Sequence, residues 1–114
     1  MRPRLVPSSV LLAIVLLAAG AALAADAVPE VTLVIEKNRF EPAELRVPAG
    51  KPFVLVITNK DSAAEEFESK PLRLEKVVPA GKTVRLRVPA LKPGSYAFVG
   101  EYHEATAKGR LVAE

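Results

Sequence analysis

Residues 53–58, Phe-Val-Leu-Val-Ile-Thr, form a short run that is apolar on both faces of an extended chain. Such a run of β-branched and aliphatic residues is typical of a central β-strand. Further along, residues 83–88, Thr-Val-Arg-Leu-Arg-Val, alternate apolar and polar side chains, as expected for a strand with one buried face. No helical periodicity of useful length follows Ala25. These patterns predict an all-β domain.

Period-two alternation in short runs extends this prediction to about seven strands. The predicted strands are residues 31–35, 45–47, 53–58, 72–77, 83–88, 95–99 and 109–112. Pro-x-Gly groups at 48–50 and 79–81 and Pro93-Gly94 set tight turns, because Pro fixes one φ angle and Gly allows a positive one. The first two groups lie in near-identical pentapeptides whose flanks differ, so we interpret them as recurrent turn chemistry and not as an internal duplication. Many short strands with frequent turns indicate a Greek-key β-sandwich or a small barrel.

The start of the chain predicts a cleavable secretory signal peptide, residues 1–24. Arg2 and Arg4 supply its basic start, residues 10–17 its apolar stretch, and Ala22-Leu23-Ala24 its small-x-small cleavage pattern. An uncleaved membrane anchor is the alternative, since the apolar run nears the length that spans a bilayer. Ala and Gly dominate the second half of that run, which favours cleavage. We therefore expect one exported domain, residues 25–114, with no stable membrane insertion after cleavage.

Charge and cysteine content exclude several classes of function. Of 16 basic and 13 acidic residues, Arg2 and Arg4 fall in the predicted signal peptide, which leaves 14 against 13 and a net charge of +1. Without a basic surplus or clustered aromatic residues, the sequence predicts no nucleic-acid binding. The absence of cysteine excludes disulfides, thiol nucleophiles, thioether-linked haem and thiolate metal sites. Any bound metal must be held by oxygen and nitrogen.

An acidic segment, Ala-Ala-Glu-Glu-Phe-Glu-Ser at residues 63–69, places three carboxylates in four positions. Their mutual repulsion costs stability unless a cation or solvent relieves it. A hydrated loop or an edge strand is one interpretation. If the segment is extended, Glu66 and Glu68 share one face, while Glu65 and Phe67 share the other. With Phe67 in the core, Glu66 and Glu68 point together toward the opposite side.

The single histidine, His103, follows the predicted strand at residues 95–99 and is bracketed by Glu101 and Glu104. A lone histidine is often a surface or packing residue. An imidazole with carboxylates nearby is also a suitable ligand set for iron, zinc or copper. Both interpretations remain open from these residues alone.

The order of motifs across residues 25–114 resembles the cupredoxin family. The motifs are Phe40-Glu41-Pro42, Val47-Pro48-Ala49-Gly50, a strand ending in Asn59-Lys60-Asp61, and Tyr96-Ala97-Phe98 followed by His103 and Gly109. The resemblance implies a Greek-key β-sandwich with a copper site at one end, formed by two His, one Cys and often a Met.

Three of those four copper ligands are replaced in this sequence. Gly100 stands at the Cys position, Glu65 at the upstream His position, and Ala107 or Lys108 where Met is expected, whereas His103 is retained. Without a thiolate, the chain is not a blue-copper electron carrier.

The replacement motifs at residues 65–69 and 100–104 resemble those of cupredoxin-like periplasmic proteins that accompany bacterial ferrous-iron permeases, and of the related domain of the iron-uptake lipoprotein family. This resemblance implies a periplasmic protein that binds an iron or copper ion. It also implies a role in Fe(II) oxidation or electron transfer before uptake, with an iron permease or other periplasmic iron-uptake components as partners. The expected metal ligands are Glu66, Glu68, Glu101 and His103, with Glu65 and Glu104 in reserve. Whether the protein turns over as an enzyme is left open.

A metal-free cupredoxin-fold module that docks a membrane or periplasmic partner is the alternative from a different class. In that module Glu66, Glu101 and His103 would not converge. Copper trafficking ranks lower, because the exported domain has no methionine. A hydrolytic enzyme ranks lower still, because no nucleophile, base and acid arrangement can be argued around the one histidine.

Overall fold

The computed structural model describes residues 27–114, which form two β-sheets packed face to face; the predicted signal peptide and its cleavage position lie outside these residues. The strands are β1 (Glu30–Glu36), β2 (Arg39–Glu41), β3 (Glu44–Val47), β4 (Phe53–Asn59), β5 (Glu65–Ser69), β6 (Leu74–Val78), β7 (Thr83–Val88), β8 (Gly94–Gly100) and β9 (Lys108–Ala113). A short 3-10 turn, Glu101–His103, joins β8 to β9. Within the described part of the chain, no helix has the length and apolar character needed to cross a membrane.

One sheet has four strands in the order β2-β1-β4-β7, and the other has five in the order β3-β9-β8-β5-β6. The β1–β4 and β3–β9 pairs are parallel, and the other pairs are antiparallel. The chain passes repeatedly from one sheet to the other, so strands that are distant in sequence become neighbours. The predicted all-β sandwich is confirmed.

The core lies between the sheets and follows the alternation of each strand. In β4, the inward side chains of Phe53, Leu55 and Ile57 are completely or almost completely buried, and the intervening residues are half-buried. Such burial is worth roughly 1.5–3 kcal/mol per large side chain, which lets the sandwich hold together without disulfides. Phe40, Phe67 and Phe98 pack at one end of this core; their ring centroids lie 5.1–6.1 Å apart.

The structure has nine strands where the alternation predicted about seven. The two additional strands are β2, which has only three residues, and β5, which interleaves glutamates with buried residues. The strand predicted to begin at residue 72 begins at Leu74, because Arg73 lies in a turn with a φ of +58°. The predicted Pro-x-Gly turns are confirmed, since Gly50 and Gly81 have φ angles of +81° and +71°.

Candidate metal centre

Strand β5 sends its side chains alternately into the core and away from it. Glu65, Phe67 and Ser69 are buried, whereas Glu66 and Glu68 are half-buried on the outer face. Phe67 belongs to the aromatic end of the core, which fixes this orientation. The expectation that Glu66 and Glu68 would point together, on the face opposite Phe67, is therefore confirmed for an extended segment.

Four carboxylates meet on the outer face of the five-stranded sheet. One oxygen from each of Glu66, Glu68, Glu75 and Glu101 lies within 4.8 Å of the corresponding oxygen of every other. Glu75 comes from β6, where it stands directly opposite Glu68 in the antiparallel ladder. Glu101 comes from the 3-10 turn that follows β8, and β8 is the other neighbour of β5. We call these four residues the carboxylate cluster.

The structure thus brings together three of the four sequence-predicted ligands, Glu66, Glu68 and Glu101. Glu75 was not among the candidates from the sequence. The sequence did contain a hint of its position. Residues 72–77 were predicted to alternate, and this alternation places Glu75 on the polar face, opposite Leu72 and Leu74. What the sequence did not show was the pairing of β6 with β5, which sets Glu75 beside Glu68.

The cluster raises the pKa of two of its carboxyl groups. For Glu68 the main cause is a hydrogen bond with Glu101; loss of water and repulsion from Glu101 add to it, and Lys70 partly opposes the shift. For Glu101 the main cause is a hydrogen bond with Glu66, opposed by one with Glu68 and supported by repulsion from Glu66 and Glu104. Carboxyl groups this close bind their protons more tightly than isolated ones do.

His103 lies elsewhere, on the interior side of β5. Its Nδ1 atom is 2.6 Å from Oε2 of Glu65, whose side chain is only 2% exposed. The other carboxylate oxygen of Glu65, Oε1, accepts the backbone N–H groups of Glu66 and Tyr102 at 2.9 Å each. His103 is not a member of the carboxylate cluster. Among the predicted and reserve ligands, the structure therefore places Glu65 and His103 in a separate pair.

Small residues make room for that pair. A Cβ atom at Gly100 would lie 2.7 Å from both Cδ of Glu65 and Cβ of Ala107, closer than real Cβ contacts allow. In the resemblance, Gly100 stands at the position of the copper-binding Cys, Glu65 at that of the upstream His, and Ala107 or Lys108 at that of the Met. The Glu65 carboxylate thus fills the interior space at the end of β8, which leaves no room for a side chain at residue 100.

A surface groove of about 350 Å³ runs beside the cluster. Glu68, Glu101 and Glu104 line its acidic wall, and Ala97 and Val99 of β8 line its small, apolar side. Lys70 stands at the same groove. Glu104, the second reserve ligand, therefore lies next to the cluster without belonging to it.

The donor set determines which cations fit. The cluster offers only carboxylate oxygens, which suit hard cations such as Mg(II), Ca(II), Mn(II) and Fe(III) and also accept the borderline Fe(II). A copper–thiolate centre does not fit, because the sequence contains no cysteine. A single cation bound among the four side chains would relieve their mutual repulsion.

Residues 9–113 match the family described as the cupredoxin-like domain. The chain therefore belongs to the cupredoxin-like domain family. It is 36% identical over 87 residues to the uncharacterized protein RP394 of Rickettsia prowazekii (strain Madrid E), a match that covers 76% of this chain and 70% of that protein.

Solved structures share the fold. Auracyanin A, a blue copper protein from the green thermophilic photosynthetic bacterium Chloroflexus aurantiacus, gives a TM-score of 0.64 at 16% identity, covering 75% of this chain and 98% of that one. The metal-binding domain of the Streptococcus pneumoniae D39 Cu(I)-exporting P-type ATPase CopA gives a TM-score of 0.60 at 15% identity, and the match covers 75% of this chain and 84% of that one. A chain of a heme-copper terminal oxidase dimer gives a TM-score of 0.64 at 18% identity, and the match covers 75% of this chain but only 65% of that one. The protein is thus related in fold to copper-binding proteins.

Proposed function

We propose that this protein is a periplasmic metal-binding accessory protein of bacterial iron uptake, and that the carboxylate cluster is its metal site. The observation that carries the proposal is the convergence of Glu66, Glu68, Glu75 and Glu101 from β5, β6 and the 3-10 turn. Membership of a fold family whose solved relatives include copper-binding proteins supports a metal-related role.

The chemistry of the cluster is compatible with iron as the cargo. Four carboxylates supply hard oxygen ligands and up to four negative charges, and they stabilise Fe(III) more than Fe(II). Fe(II) bound there would lose one electron to an acceptor supplied by a partner more readily than Fe(II) in water does. Cu(II) also accepts oxygen ligands and is the second cation to be tested. Cu(I), which prefers sulfur, matches this donor set poorly.

The proposed location and partners rest on the predicted signal peptide and on the resemblance of the motifs. A signal peptide ending at Ala24 would deliver residues 25–114 across the inner membrane. An iron permease or another periplasmic iron-uptake component would then receive the cation from the outer face of the five-stranded sheet. Because the cluster lies on an exposed face, a partner can reach it without opening the sandwich.

The second candidate function is a metal-free docking module, and the position of His103 favours it. This side chain is bonded to Glu65 and is not directed into the cluster, so the imidazole and the four carboxylates do not form one site. In this module the acidic outer face would serve as a surface for a protein partner.

Metal titration of residues 25–114 separates the two functions. Calorimetry would follow Fe(II) under anaerobic conditions, Fe(III) and Cu(II), with the variants Glu66→Gln and Glu101→Gln. Glu36→Gln, an exposed carboxylate in β1 of the other sheet, is the matched control. We expect each cluster variant to lose at least about tenfold in iron affinity, since each removes a charged ligand. Equal, weak binding by the wild type and all three variants would overturn the metal-binding proposal and favour the docking module.

A further inference from the structure

Glu65 joins the two segments that carry three of the cluster ligands. Its Oε1 atom accepts one N–H from Glu66, itself a cluster residue, and one from Tyr102, which directly follows Glu101. The same oxygen therefore holds the backbone of β5 and the backbone of the 3-10 turn in a fixed relation. Glu65 contributes no atom to the cluster but sets the spacing between its members.

His103 completes this arrangement from the other side of the turn. Its Nδ1 atom lies 2.6 Å from Oε2 of Glu65 and donates to it in the tautomer that carries the ring proton on Nδ1. Its backbone oxygen accepts the N–H groups of Thr106 and Ala107 at 3.1 and 2.8 Å, and Gly100 N–H is bonded to Ala107 at 2.8 Å. The segment from Gly100 to Ala107 is thus held by hydrogen bonds within itself, and Tyr102 and His103 attach it to Glu65.

We propose that Glu65 and His103 form a positioning pair that holds the Glu101 carboxylate at the metal site, with His103 acting through Nδ1 and not as a metal ligand. This inference rests on the proposed metal-binding function of the cluster. It assigns to the imidazole a role different from the one that the sequence predicts. Charge-assisted hydrogen bonds to a buried carboxylate are among the stronger ones in proteins, which suits a pair that must fix a turn.

The surroundings of Glu65 make its carboxylate hard to replace. Its two buried carboxylate oxygens have three partners, two backbone N–H groups and the Nδ1 atom of His103. A glutamine at this position keeps an acceptor for the two N–H groups but presents an amide N–H to Nδ1. His103 would then have to adopt the opposite tautomer or lose the bond. The variant Glu65→Gln therefore weakens the pair without changing the volume of the side chain.

Asparagine separates the two possible roles of His103. The amide nitrogen of Asn lies close to where Nδ1 of His lies, so His103→Asn can still donate to Glu65. It has no atom at the place of Nε2, the only ring nitrogen left for a metal. His103→Ala removes both the donor at the place of Nδ1 and the nitrogen at the place of Nε2. If the pair positions the turn, His103→Asn rescues what His103→Ala loses.

The test measures Fe(II) affinity anaerobically by calorimetry for the wild type, Glu65→Gln, His103→Ala and His103→Asn. Val88→Ala, which removes buried methyl groups from β7 in the other sheet, is the control for loss of stability alone. We expect Glu65→Gln and His103→Ala to weaken binding by about tenfold. His103→Asn and Val88→Ala should stay within about twofold of the wild type. An equal loss in His103→Asn and His103→Ala, or unchanged affinity in Glu65→Gln, would overturn the inference.

A measurement without metal keeps this inference distinguishable from the proposed function. Hydrogen exchange of the Tyr102 and Glu66 amides would be followed by NMR, together with the ¹⁵N signals of the His103 ring. In the wild type we expect slow exchange and a proton on Nδ1; in Glu65→Gln we expect faster exchange at Tyr102 and a changed tautomer. If the wild type binds no iron but shows these signatures, only the proposed function fails. Unchanged exchange and tautomer in Glu65→Gln would refute the positioning pair.

Discussion

At the scale of single residues, the carboxylate cluster stores electrostatic repulsion in the folded protein. Glu68 and Glu101 both have a raised pKa, caused first by hydrogen bonds with neighbouring carboxyl groups. A carboxyl group whose pKa is raised by folding binds its proton more tightly in the folded state. Its contribution to stability is present at acid pH and is lost as the pH rises through the raised pKa.

The variant Glu101→Gln should therefore raise the thermal midpoint of the metal-free domain at about pH 7. The gain should disappear at about pH 4, where the carboxyl groups of the wild type hold their protons. Thermal unfolding followed by circular dichroism across this range checks the prediction, with Glu36→Gln as the control. A lower midpoint for Glu101→Gln than for the wild type at about pH 7 would contradict the proposed repulsion.

The orientation of the site residues in β5 could be predicted from the sequence, but the partner of His103 could not. Glu66 and Glu68 were predicted to share a face because strand alternation follows from backbone geometry alone. The pairing of His103 with Glu65 was not predicted, since both residues were candidates for the same ligand set. A buried carboxylate reads in sequence like an exposed one, and only its three donors distinguish it.

At the scale of elements, the strands that the sequence predicted well are those whose burial pattern is visible in their composition. The continuous apolar run of β4 matches a central strand, and in β7 the apolar residues recur at the strand period, so burial and sequence agree. The short strand β2 has too few residues to show a period. In β5 the outward positions are charged and one inward position is Glu65, so its pattern was compatible with a hydrated loop.

The connection from β4 to β5 depends on one buried side chain, Asn59. Its amide nitrogen donates to the backbone oxygens of Ala63 and Val78 at 2.9 and 3.0 Å, and its Oδ1 accepts the N–H of Asp61 at 2.9 Å. Asn59 is completely buried. It therefore links the end of one sheet to the start of β5 and the end of β6 in the other.

We expect Asn59→Ala to lower the free energy of unfolding by about 2–3 kcal/mol, because it leaves buried backbone oxygens without a donor. The exposed neighbour Lys60, changed to Ala, should alter it by less than about 0.5 kcal/mol. Urea denaturation of the two variants measures both values. A cost for Asn59→Ala no larger than that for Lys60→Ala would show that water replaces these bonds at little cost.

At the scale of the whole molecule, strand β9 completes the five-stranded sheet. It lies between β3 and β8, pairing in parallel with the first and antiparallel with the second. Its inward residue Leu111 is completely buried. Both β3, which lies much earlier in the chain, and β8, the strand immediately before β9, thus depend on residues 108–113 for their place in the fold.

A chain ending at Ala107 should therefore lose cooperative unfolding, since removal of β9 exposes the core and leaves β3 without a partner. A chain ending at Ala113 retains all of β9 and should still unfold cooperatively, although it loses the backbone bonds of Glu114 to Val47 and Ala49. Circular dichroism and thermal melts compare the two. Cooperative melting of the shorter chain would show that the other strands form a stable unit without β9.

The central place of β9 also has a consequence for the time at which the protein can fold. While residues 108–113 are still being synthesised, the five-stranded sheet has a gap between β3 and β8, and its contacts are mostly between residues far apart in the chain. Such contacts form slowly and only when both partners are present. During its synthesis the polypeptide therefore cannot complete the five-stranded sheet, and the sandwich closes only after residues 108–113 have left the ribosome.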